Sequence, residues 1–115
     1  MRRGEIRWVD FEPARGNEAN KRRPAVVVSN DRANATSSRL GRGVVTVVPV
    51  TSNVSRVLSF QLLLLADETG LPADSKAQAE QIRSVSVDRV GPVIGHLNQA
   101  LTDQLDEAIR LHLDL

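Results

Sequence analysis

The chain contains no cysteine. That excludes a disulfide scaffold, a thiol nucleophile, a thiolate zinc site and an iron–sulfur cluster. With no disulfide to protect, an intracellular, cytoplasmic address is the simpler expectation. Aromatic residues are nearly as scarce, being only Trp8, Phe11 and Phe60. They are too few for the stacking platforms that read single-stranded nucleic acid base by base. Long hydrophobic runs are missing too. The longest, Leu62 to Ala66, falls far short of the roughly 20 residues a spanning helix needs. Two arginines open the chain, but no apolar region follows them, so no signal peptide and no membrane partner are expected. The two histidines, His96 and His112, have no carboxylate at metal-ligand spacing. No HExxH, Ser/His/Asp grouping or phosphate-cradling glycine loop occurs either. Neither a metal nor any other cofactor is implied.

What remains is an ordinary globular balance, 41% hydrophobic and 25% charged over 115 residues. This predicts one domain, spanning 1–115, with one modest core. The formal net charge of +1 conceals an asymmetry. Residues 1–56 hold eleven Lys/Arg against five acids, whereas residues 57–115 hold four against nine. Clustered basic charge on one part of a small domain is the footprint of a polyanion partner. The competing reading is an arginine-rich composition whose charges meet across the fold.

No repeat, low-complexity tract or linker interrupts the chain. Glu5 to Phe11 alternates imperfectly and predicts a strand with a bulge or two-sided burial. Glu12 to Arg22 is rich in Pro, Gly, Asn and charge, which predicts a long polar loop. Pro24 to Ser29 is a β-branched run suited to a central strand buried on both faces, with Pro24 at its first position. Asn30 to Arg42 predicts a short helical turn or loop. Val44 to Val50 is a second strong strand, in which Pro49 marks an edge or an end. Leu58 to Leu65 gives another strand, and Asp67 to Pro72 a turn. Ser75 to Ser86 is read as a strand despite its Ala, Gln and Glu, and Val90 to Leu97 as the last one. Leu97, Leu101, Leu105, Ala108, Ile109 and His112 recur at helical spacing, capped by Asn98 or Thr102. Six short strands and one C-terminal helix predict a small α+β fold around a strongly bent antiparallel sheet.

Three pieces carry chemistry. Arg22-Arg23-Pro24 puts arginine at the mouth of a buried strand. Val50-Thr51-Ser52 ends another strand in hydroxyls. Glu80-Gln81-Ile82-Arg83-Ser84 supplies a carboxylate, an amide and a further guanidinium. Brought together, these ends would surround one anionic centre, and arginine's fork matches a phosphate in two-point geometry.

Their order along the chain is more specific than any one of them. Arg3 to Ile6, Asp10, Gly16-Asn17-Glu18, Arg23 to Asn30, Pro49 to Ser52 and Glu80 to Arg83 together resemble the MazF/PemK-type toxin endoribonucleases. The resemblance spans nearly the whole chain. It implies an SH3-like β-barrel with a C-terminal helix, of the CcdB/MazF kind. It also implies a sequence-specific endoribonuclease that cuts single-stranded RNA (mRNA, rRNA or tRNA) without a metal, and so arrests translation. A homodimer neutralised by a MazE-like antitoxin is implied as well, and pairing two copies would enlarge the small core. The family's arginine and threonine fall on Arg23 and Thr51. The reaction implied is attack by the ribose 2′-OH on the neighbouring phosphate, with Arg23 stabilising charge and Thr51 donating to the same oxygens. Glu80 is the proposed base. Asn17, Glu18, Lys21, Arg22, Ser52, Asn53, Gln81 and Arg83 are the expected RNA contacts.

The sequence departs from one branch of that family. Members of that branch carry a histidine in the first loop and an Arg-x-Asp before the later glutamine, where this chain has Asn17, Gln78 and Glu80. The departure favours the Arg/Thr version of the chemistry. Two rival readings use the same fold, a CcdB-like gyrase-binding poison and a non-catalytic RNA- or protein-binding barrel. Against the first, the chain ends Leu113-Asp114-Leu115 rather than in a Trp-Gly-Ile tail.

Overall fold

The β-branched runs become the centre of a sheet. In the computed structural model, which describes residues 1–11 and 22–115, β1 (Glu5–Asp10) pairs with β2 (Arg22–Val27), and β2 with β3 (Val44–Thr51). Beyond β3 lie β5 (Ser75–Gln78) and then β4 (Gln61–Leu64), and beyond β1 lies β7 (Val90–His96). A further strand, β6 (Arg83–Ser86), pairs with β3 alongside β5. The sheet thus has seven strands rather than six, all antiparallel and open at β4 and β7. The expected barrel is a bent, unclosed one. Three α-helices, α1 (Asp31–Leu40), α2 (Ala66–Thr69) and α3 (Gln99–Leu113), and two 3₁₀ turns, Ala79–Gln81 and Val87–Arg89, complete the described residues. Among the described residues, no helix is long and apolar enough to cross a membrane.

Both faces of the central strands are buried, as their unbroken apolar character predicts. Val26, Val48 and Val50 face one cluster with Ile6, Leu62, Leu64 and the α3 residues Leu101 and Leu105. Their neighbours Ala25, Val27, Val45 and Val47 face a second cluster with Val9, Phe11 and Val85. β1 serves both clusters, through Ile6 and Val9, and its register against β7 shifts on either side of Arg7.

The two prolines sit differently from expectation. Pro24 is the third residue of β2, not the first, and pairs with Trp8. The β2–β3 ladder stops at Ala25↔Pro49, so the donor that Pro24 lacks is not called for. Pro49 lies inside the most central strand. β3 pairs with β6 over Val44–Val47 and with β5 over Val50–Thr51, and Pro49 falls in the gap between them.

The helical expectations divide. α3 begins where expected: Asn98 Oδ1 accepts from Leu101 N (2.8 Å), and Leu101, Leu105 and Ala108 are buried. His112 is exposed, its ring beside Phe60. The polar segment after Ser29 is a full helix of ten residues instead of a turn, capped by Asn30 and ended by Gly41 in the left-handed region. Its one buried residue is Asn34, which donates to Ser29 O (2.8 Å) and accepts from Ser29 Oγ (2.5 Å). The helix is therefore docked by a polar side chain, which no apolar stripe advertises. The segment read as one strand from Ser75 to Ser86 is two, β5 and β6, separated by a 3₁₀ turn at Ala79–Gln81. The Asp67–Pro72 turn is the one-turn α2 closed by Gly70. It packs so tightly on β7 that a Cβ at Gly95 would lie 1.7 Å from Thr69 O.

Candidate active site

Adjacent residues on a strand point to opposite faces, so each face is read by parity. On the face of the second cluster, β2 and β3 are apolar from Ala25 to Val27 and from Val45 to Val47. The same face turns polar at the far end of the two strands. Counting two residues on from Ala25↔Pro49 places Arg23 opposite Thr51, and Thr51 is itself in register with Lys76 on β5. One row across the sheet therefore carries a guanidinium, a hydroxyl and an ammonium. The next residue on that face of β5 is Gln78, in register with Gln61 of β4.

Side-chain hydrogen bonds fix this corner. Arg23 Nη2 donates to Gln78 Oε1 (3.0 Å) and to Val50 O (3.5 Å). Thr51 Oγ1 accepts from Asn53 N (3.2 Å), and Asn53 Oδ1 accepts from both the N and the Oγ of Ser55. Lys76 Nζ donates to Arg56 O (2.5 Å), tying the same loop to β5. Glu80 Oε2 accepts from Gln61 Nε2 (2.8 Å), while its Oε1 is buried without a hydrogen-bond partner among the described residues. Gln61 and Gln78, neighbours across β4 and β5, thus each hold one charged group of the site.

The expected contacts are dispersed around this row. Ser52 and Asn53 are exposed on the loop after β3, and Gln81 on the 3₁₀ turn. Arg83 pairs with Val47 and its guanidinium lies 5.3 Å from the Phe11 ring centroid, on the same face as Arg23. Arg22 points to the opposite face. It stacks over Trp8 at 5.7 Å and lines a cleft of about 440 Å³ with Asp10 and Arg89. Asn17, Glu18 and Lys21 lie outside the described residues. Lys76 and Gln61 were not among the expected site residues. The signal for them is the parity of β4 and β5 once Thr51 is placed. His96 ends β7 in register with Glu5, His112 lies on α3 beside Phe60, and no three His, Asp or Glu side chains among the described residues are grouped to hold a metal ion.

The fold and this corner define a small β protein: a bent antiparallel sheet backed by a C-terminal helix, with an arginine and a threonine on one face at the same end of two neighbouring strands. The chain belongs to the PemK-like, MazF-like toxins of type II toxin–antitoxin systems, matching that family over residues 2–113. It is 66% identical over 115 residues to the endoribonuclease MazF9 of Mycobacterium tuberculosis, covering all of this chain and 98% of that protein. Solved structures share the fold. Mycobacterium tuberculosis toxin MazF-mt6 superposes with a TM-score of 0.77 at 24% identity, over 96% of this chain and 97% of the other. An endoribonuclease from a mycobacterial species, solved in complex with its cognate antitoxin, also superposes at 0.77. Its identity is 19%, over 100% of this chain and 96% of the other.

Proposed function

We propose that this chain is the toxin of a type II toxin–antitoxin pair, an endoribonuclease that cuts single-stranded RNA and so halts translation and growth. The observation that carries the reading is that Arg23 and Thr51 share one face at the same end of β2 and β3, two residues past the Ala25↔Pro49 pair. The high identity to a protein named as an endoribonuclease supports it.

In the proposed reaction the nucleophile belongs to the substrate. The ribose 2′-oxygen bonds to the neighbouring phosphorus and gives up its proton, and the bond from phosphorus to the 5′-oxygen breaks. That oxygen takes up a proton, leaving a 2′,3′-cyclic phosphate and a free 5′-OH. DNA, which lacks the 2′-OH, is spared. Negative charge grows on the non-bridging oxygens during attack, and an arginine that stays ionised is suited to stabilise it. Thr51 Oγ1 accepts from Asn53 N, which leaves its own proton to donate to the same oxygens. Glu80, its carboxylate held by Gln61, is assigned as the acceptor of the 2′-OH proton. Arg22, Ser52, Asn53, Gln81 and Arg83, with Asn17, Glu18 and Lys21, are assigned to RNA contact.

The partners proposed are single-stranded RNA, a MazE-like antitoxin and a second copy of the chain, in the cytoplasm and without a membrane. The antitoxin bound to a neighbour of the same fold supports the second. Incubation of the purified protein with mixed-sequence RNA in excess EDTA, followed by mapping of the ends, tests the reaction. Cyclic phosphates opposite 5′-OH ends are expected. A strict requirement for Mg²⁺, or cutting that leaves 5′-phosphates, overturns the 2′-OH route.

A further inference from the structure

Arg23 is an exposed side chain, and a long exposed arginine is ordinarily spread over many rotamers. Here it is anchored. Both of its hydrogen bonds leave from Nη2, one to Gln78 Oε1 at 3.0 Å and one to Val50 O at 3.5 Å. Among the described residues, Nε and Nη1 have no acceptor, so three of the five guanidinium N–H groups are left for a ligand. Neither anchor is charged, and no carboxylate among the described residues lies within ion-pair distance of Arg23. Gln78 is itself fixed, being the last residue of β5 and paired with Gln61.

We infer that Gln78 is the positioning residue for Arg23: it orders the guanidinium beside Thr51 through a neutral acceptor, so the fork is fixed while its charge stays available for a phosphate. The inference rests on the endoribonuclease reading only for the identity of that phosphate. A carboxylate at position 78 would hold the arginine equally well, but it would form a bidentate pair and compete with the substrate for it.

Two variants separate this role from plain packing. Gln78→Met keeps the length of the side chain and removes the acceptor. Gln78→Glu keeps both the shape and the acceptor and adds a charge. Two readouts apply to each: nitrogen-resolved NMR of the arginine guanidinium groups, with Arg23 assigned through Arg23→Lys, and cutting of a short RNA with one site. In Gln78→Met the Arg23 signals are expected to collapse to those of a freely rotating group. Its kcat should fall about 10- to 100-fold, the scale on which misplacement acts, with KM and melting temperature little changed. In Gln78→Glu the Arg23 signals stay ordered, yet cutting falls below that of Gln78→Met. A packing role gives the reverse ranking, with the near-isosteric Glu closest to the parent protein. Arg23 signals unchanged in Gln78→Met, or Gln78→Glu as the more active variant, overturn the inference. If the parent protein cuts no RNA at all, the endoribonuclease reading fails, while the NMR arm still decides whether Gln78 holds Arg23.

Discussion

A double-mutant cycle on Arg23 and Thr51 probes the centre of the proposed site. Arg23→Ala removes the guanidinium, and Thr51→Val removes the hydroxyl while keeping a β-branched side chain. Losing one preorganised donor to the developing charge costs about 2.7–4 kcal/mol, or 10²–10³ in kcat. Two donors acting on separate atoms would multiply to about 10⁴–10⁶. Continuing the register two residues past Ala25↔Pro49 sets them opposite each other on neighbouring strands, where they would address one phosphoryl group. Contacting residues couple by about 0.5–3 kcal/mol, and residues acting as a unit are strongly non-additive. The double variant should therefore lose little more than the worse single one. Stability should scarcely follow. Arg23 is exposed, and its removal returns Gln78 to water. Losing the Thr51–Asn53 hydrogen bond costs about 1 kcal/mol. Initial rates on a fluorescent RNA in EDTA, with melting curves on the same samples, give all the terms. A single variant that keeps more than about a tenth of the activity contradicts the expected donor loss. Fully multiplicative losses would show that the two side chains act on different things.

The remaining expectations are simpler. Burial pushes the Glu5 carboxyl up, but the Arg2 N–H and the Arg7 guanidinium more than offset it, so its pKa is held below the ordinary value. The resulting stability, at most about 1 kcal/mol for a partly exposed pair, is present above the unfolded-state pKa and lost as pH falls through the lowered folded value. Glu5→Gln should thus melt below the parent protein at pH 7 and level with it in acid below that value; an offset that persists there refutes the assignment. Asn34→Ala should destabilise by about 2–3 kcal/mol, because Ser29 loses a buried partner, and denaturant melts that shift by less than half of this count against polar docking of α1. For RNA affinity, Arg83→Ala should lower the slope of log K against log salt by about 0.7, the single-strand value per phosphate contact. An unchanged slope removes Arg83 from the interface.

Much of this was legible in residue order, for identifiable reasons. The β-branched run from Pro24 to Ser29 called for burial on both faces, and Ala25, Val26 and Val27 are buried; the second strong strand became β3, with Val45, Val47, Val48 and Val50 buried and Val44 exposed. The apolar stripe of α3 and its Asn98 cap were equally plain. α1 escaped because its Thr36-Ser37-Ser38 interior has poor helical propensity and its anchor is Asn34. The segment from Ser75 to Ser86 reads as one strand because the division of its two halves between different stretches of β3 is a property of β3 rather than of the segment. Arg23 and Thr51 were visible through resemblance, because each sits at a strand end with a recognisable neighbour. Gln78 was visible only as a departure from relatives, since a neutral amide announces no chemistry until its partner is known.

The prolines of β2 and β3 bear on how the chain finds its alignment. Strands with one wet face are kept in register by polarity, since a one-residue slip turns apolar side chains out to water. Here both faces of β2 and β3 are apolar along much of their length, so that penalty is weak. Val28 N donates to Thr46 O (2.9 Å), which by alternation directs the backbone nitrogen of Pro49 away from β2. A one-residue slip would turn β3 over and aim that nitrogen at β2, where the ladder requires a donor. Pro24, one residue past the last rung on the other strand, limits how far the ladder can extend. Two residues that cannot donate a hydrogen bond thereby decide which residue of β3 comes to face Arg23.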